Sequence, residues 1–154
     1  MPTLVLESLQ SLKDYVGREI ATTDWLAVTQ ERIQQFADAT EDHQWIHVDP
    51  ERARRESPYG AAIAHGFLTL SLMSHFLRDA IQLPSNVRQT INCGLNRVRF
   101  PAPVRAGDKI RARILLHSCR ELPESLEAVF GITIESEGAE KPCCAAEWIL
   151  RYYS

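Results

Sequence analysis

The run His65-Gly66-Phe67-Leu68-Thr69-Leu70-Ser71-Leu72-Met73-Ser74-His75-Phe76-Leu77-Arg78-Asp79-Ala80-Ile81 is apolar at positions 67, 68, 70, 72, 73, 76, 77, 80 and 81. Wound as one helix from Gly66 to Ile81, it carries those side chains nearly all round. A helix apolar on most sides is buried rather than laid on a surface. The fold must therefore wrap this helix, and the flanking sequence shows what does the wrapping.

After Val87 the chain turns to strands. Asn86 to Val98, Lys109 to Leu116, Leu126 to Glu135 and Cys143 to Tyr152 are alternating or β-rich. Between Lys109 and Leu116, for example, Ile110, Ala112, Ile114 and Leu116 alternate with mostly polar neighbours. The Pro/Gly-rich segments Phe100 to Asp108 and Ser136 to Pro142 read as turns. Before the central helix the order is helical. Leu4 to Val16 has the spacing of a short amphipathic helix stopped by Gly17. Trp25 to Val28 reads as a short strand. Thr29 caps a helix that buries Ile33, Phe36 and Ala37 and ends near Thr40. Asp49-Pro50 starts another, with Asp at the cap and Pro in the first turn. Helices first, one buried helix, then consecutive antiparallel strands predict an α+β layer fold.

Bulk properties narrow the classes. The chain has 154 residues, is 45% hydrophobic and 24% charged, and carries net charge -3. It is expected to be one domain, 1–154, long enough to bury about 70% of its unfolded surface without a metal or disulfide staple. The acidic balance argues against general nucleic-acid binding, although arginines cluster at 52–55 and 97–113. The cysteines are 93, 119, 143 and 144, with no CxxC spacing, so neither a zinc site nor a disulfide framework is expected. No signal peptide and no membrane-length apolar run is seen, which predicts a cytoplasmic protein.

The chemistry concentrates in Ala39-Thr-Glu-Asp42-His-Gln-Trp-Ile-His47-Val-Asp-Pro50. It sets a carboxylate and an imidazole five residues apart in a short polar segment between helices. Both groups exchange protons near neutral pH when held together. Alone, the pair has bland alternatives: Asp42 ends a helix, and His47 is a satisfied loop histidine. The nearby His65-Gly66 adds something. A glycine at a helix start lets a ligand approach the backbone, where a free N–H and the helix dipole favour an oxyanion.

The phrases ATEDHQWIHVDPERA, IAHGFLTLSL and GLNRVRFPAPV resemble the MaoC-like dehydratases, the R-specific enoyl-CoA hydratases. Asp42, His47, His65 and Gly66 match the family's marker in order and spacing. The resemblance implies a hotdog fold, a long central helix wrapped by an antiparallel sheet and usually paired with a second copy. It implies hydration of trans-2-enoyl thioesters of coenzyme A or acyl-carrier protein to R-3-hydroxyacyl thioesters, or the reverse dehydration, with no cofactor or metal. Asp42 and His47 would hold the reacting water, Gly66 would supply the oxyanion donor, and Ser74 and His65 would support the site. Arg97 and Arg99, or the Arg52 to Arg55 group, would meet the phosphates of coenzyme A. A homodimer is expected. One departure stands beside the pair: Glu41 occupies a place where many relatives have glycine. Two other readings stay open on the same fold, thioester hydrolysis and an acyl-binding module without turnover.

Overall fold

The computed structural model describes residues 2–154. The chain opens with β1 (Leu4–Val5), followed by a 3-10 helix (Leu9–Tyr15) that buries Leu9 and Leu12. This corrects the expected amphipathic helix over Leu4 to Val16. The apolar spacing is met by a tighter helix, and β1 instead pairs in parallel with β4 (Ile81–Gln82) at the far end of the central helix. Then come β2 (Glu19–Thr22), which was not foreseen, and β3 (Leu26–Ala27).

Three helices follow. α1 (Gln30–Thr40) is capped as expected, with the Thr29 side chain accepting from the Arg32 N–H. α2 (Trp45–Val48) is a single turn inside the segment read as loop. α3 (Pro50–Glu56) starts where Asp49 accepts from the Arg52 N–H and Pro50 takes the first turn.

The central helix comes in two pieces, α4 (Gly66–Ser71) and α5 (Met73–Ala80), rather than one. Leu72 between them keeps αR geometry at φ -68°, ψ -11°, so the axis carries on. Met73, Phe76, Leu77 and Ala80 are buried, but Phe67 is 69% exposed. The helix is therefore less enclosed than its composition suggests.

The wrapping sheet has β5 (Gln89–Arg99), β6 (Lys109–Leu122), β7 (Ser125–Ser136) and β8 (Cys144–Tyr153), in the order β2-β6-β7-β8-β5, with β3 also on β6. The long pairs are antiparallel. β7 alternates half-buried and buried residues throughout, placing Leu126, Ala128, Phe130, Ile132 and Ile134 on the helix side. That strict period of two is what a sheet covered on one face requires. A central helix laid across an antiparallel sheet is the hotdog arrangement. β5 is the exception: it is exposed along most of its length and pairs on one side only, with β8. No helix among the described residues is long and apolar enough to cross a membrane.

Candidate active site

Two local devices bring the polar residues together. Glu41 ends α1 in the left-handed region at φ 61°, ψ 24°, which turns the chain sharply at Asp42. Asp42 then accepts the Gln44 N–H at 3.3 Å, the short turn an Asx side chain favours. One turn of α2 carries His47 inward. Gln30 of α1 donates to the His47 carbonyl at 2.7 Å and ties the two helices.

The imidazole of His47 is 7% exposed. The Ile63 carbonyl accepts from its Nδ1 at 2.7 Å. A carbonyl can only accept, so Nδ1 carries the proton and Nε2 of the neutral ring is left with its lone pair. Burial lowers the pKa of His47, with the Ile63 contact acting the other way. The ring is therefore kept neutral at physiological pH. His65, 3% exposed, stacks on it with ring centres 3.8 Å apart and 23° between planes. Its Nε2 donates to the Asp42 carbonyl at 3.0 Å, and its buried Nδ1 has no partner. Phe36 closes the other side of His65 at 4.9 Å. One polar atom from each of Asp42, His47 and His65 falls within 4.8 Å of the others.

That spacing could hold a metal, but the ring geometry does not suit one. An ion ligated by an imidazole lies in the ring plane. Two rings stacked nearly parallel at 3.8 Å cannot both place the same ion in their planes. The gap suits a water, which needs only hydrogen-bond partners.

Gly66 follows His65 and opens α4, with no side chain capping the first turn. The first N–H groups of a helix have no partner within it. A side chain at Gly66 would begin 3.2 Å from the ring of Phe100. Phe100 thus packs against the backbone at Gly66, a contact that no local pattern announces, although Phe100 stands in the phrase GLNRVRFPAPV. The fold brings Asp42, His47 and His65 together, and Gly66 follows His65 at the start of α4.

The other sequence candidates lie elsewhere. Ser74 is exposed and lines a cavity of about 780 Å³ whose wall includes none of those four residues. Its displacement has a simple cause: eight residues leave a helical side chain about 80° off register. Arg97 has φ 53° at an irregularity of β5 and lines a cleft with Arg113 and His117. That cleft is on the sheet face away from the helix, so Arg97 does not join the pair. Arg99 is exposed, stands opposite Ala145 of β8 and donates to the Val98 carbonyl at 2.8 Å. In the Arg52 to Arg55 group, Arg52 and Arg54 are already paired with Glu56 and Glu51.

Residues 11–136 match the MaoC like domain. The chain is 46% identical over 147 residues to the 3-hydroxyacyl-thioester dehydratase Z of Mycobacterium tuberculosis (strain ATCC 25618 / H37Rv), covering 95% of this chain and 96% of that protein. It is also 46% identical over 145 residues to Nodulation protein N of Rhizobium meliloti (strain 1021), covering 92% and 89%. Among solved structures, the (R)-hydratase from A. caviae involved in PHA biosynthesis superposes with a TM-score of 0.71 at 27% identity, over 88% of this chain and 94% of that one. With a family match across most of its length and near-full-length relatives at this identity, the chain belongs to the MaoC-like family.

Proposed function

We propose that Asp42 and His47 add water across the double bond of a trans-2-enoyl thioester, giving the R-3-hydroxyacyl thioester, or catalyse the reverse. The chain is a hydratase/dehydratase, a carbon–oxygen lyase, in keeping with relatives named as 3-hydroxyacyl-thioester dehydratase and (R)-hydratase. The observation that carries the residue assignment is the fixed tautomer of His47. Its Nδ1–H is spent on Ile63, so Nε2 faces the site as a base.

A water held between His47 Nε2 and the Asp42 carboxylate gives its proton to Nε2 as its oxygen bonds the β-carbon. The thioester oxygen gathers the displaced charge, and the Gly66 N–H meets it. A proton returned from the pair to the α-carbon completes the addition. One water is consumed and the pair is restored. Acid/base assistance of this kind contributes ~10²–10⁴-fold, and an oriented backbone donor adds to it. His65 stacks on His47 and holds the Asp42 backbone, so its role is positioning.

This reading takes residues 1–154 as one unit and the cytoplasm as its place, where free thiols persist; all four cysteines are unpaired. Burial pushes the thiols of Cys119 and Cys143 up to about 11 and Cys144 to about 12. None of those three is a nucleophile near neutral pH, which weighs against hydrolysis through a cysteinyl intermediate. A second copy along β5 is part of the proposal, because the strand leaves one edge open.

The test is a crotonyl-CoA assay with three readouts. Loss of enoyl absorbance and an R-configured product support hydration. Release of free coenzyme A would establish a thioesterase instead. Binding with neither change would establish an acyl-binding module.

A further inference from the structure

A cavity of about 780 Å³ lies on the helix side of the sheet. Ser74 and Leu77 of the central helix form one wall, and Trp148, Leu150 and Tyr152 of β8 form another. These β8 residues are all on the buried face of their strand. The other clefts do not compete as a tail site. One is on the opposite sheet face, around Arg97 and Gly131, and the other is at the β6–β7 turn, around Pro123 and Ser125.

The third wall is unusual. Residues directly opposite in an antiparallel pair share a face. Thr90 stands opposite Tyr152, and Asn92 opposite Leu150. Thr90 and Asn92 therefore point to the helix side, where the neighbouring strand is apolar. β5 turns a polar face inward where the cavity opens. Asn92 Oδ1 accepts from Trp148 Nε1 at 2.8 Å. This bond satisfies the indole and holds the amide at the cavity wall, leaving the two Nδ2 donors of Asn92 outside it.

We infer that Asn92, oriented by Trp148, is a specificity-determining residue that favours an acyl group with a hydrogen-bonding function near its far end. The inference rests on the enoyl-thioester reading of Asp42 and His47. In this inference the tail of a thioester held at Gly66 follows the central helix, which continues to the cavity wall at Ser74 and Leu77. Ser74 is eight residues on, about 12 Å at 1.5 Å per residue. An extended acyl chain of roughly ten carbons covers that span. A plain alkyl end arriving there strips water from Asn92 and Thr90 and gives nothing back, whereas a terminal hydroxyl accepts from Asn92 Nδ2.

The experiment compares trans-2-decenoyl-CoA with its 10-hydroxy derivative, reading the ratio of kcat/KM within each enzyme so that differences in active fraction cancel. The wild type is expected to prefer the hydroxylated chain by about fivefold, the worth of one hydrogen bond. Asn92→Leu should bring the ratio to one or below. Trp148→Phe keeps the ring but frees the amide, and should bring the ratio partway down. If Asn92→Leu does not fold, the wild-type ratio and Trp148→Phe decide. A wild-type ratio of one or less overturns the inference, as does a preference that survives in the variants. A wild type that hydrates neither chain nor crotonyl-CoA overturns the enoyl-thioester reading itself.

Discussion

Glu41 shows how a single residue's backbone reports on its neighbours. It stands in the left-handed region at φ 61°, where a β-carbon is crowded and glycine is not. The position closes α1 and turns the chain at Asp42. Glu41→Gly should therefore raise stability by about 1 kcal/mol in urea unfolding. An unchanged or lowered midpoint would remove strain from the account of this turn. His47 makes the second prediction at this scale. Burial holds its folded pKa below the unfolded value of about 6.5. Its contribution to stability is thus full above about pH 6.5 and lost as pH falls toward the folded pKa. The acid limb of kcat/KM, which reports the free enzyme, should lie below pH 6.5 for the same reason. A limb above that pH would mean that His47 is not held neutral.

At the scale of elements, α4 and Phe100 meet at Gly66. Gly66→Ala places a methyl 3.2–3.3 Å from three atoms of the Phe100 ring. The ring is 42% exposed and can yield, so the fold should survive. The thioester's approach to the backbone should not, and kcat/KM should fall about tenfold or more, with the circular dichroism unchanged. Wild-type activity in that variant would remove the backbone donor from the mechanism. Elements were legible in the sequence where local chemistry sets them. Asp49-Pro50 and Thr29 start helices because their side chains bond the next turn, and the alternation in β7 needs only its own residues. Elements that depend on distant partners were not legible. β2 is four residues long and becomes a strand by pairing with β6, and β1 is two residues held by β4. The apolar spacing of Leu9 and Leu12 suits an α-helix and a 3-10 helix alike. The site followed the same division. Asp42, His47, His65 and Gly66 were readable as neighbours in short phrases. The accepting carbonyl of Ile63, the turn of Ser74 toward the cavity and the outward placing of Arg97 follow from folding alone.

The sheet ends on the short strands β2 and β3 at one edge and on the long strand β5 at the other. β5 exposes Ile91 and Leu95 and pairs on one side only, while Phe67 and Phe100 leave aromatic surface beside the site. An open edge of this length is covered or becomes a liability. A symmetric pair of chains joined along β5 covers it and continues the sheet across two copies. Light scattering at micromolar concentration should give twice the mass of the 17.5 kDa chain, and Leu95→Lys should shift the protein toward the monomer. A wild-type monomer would contradict the pairing.

The central claim is that Asp42 and His47 act on one water. Its most direct test is the rate of crotonyl-CoA hydration by Asp42→Asn and by His47→Gln, with each variant's fold checked by circular dichroism. Each should lose at least ~10²-fold in rate while remaining folded. Near-wild-type hydration by either folded variant would contradict the account.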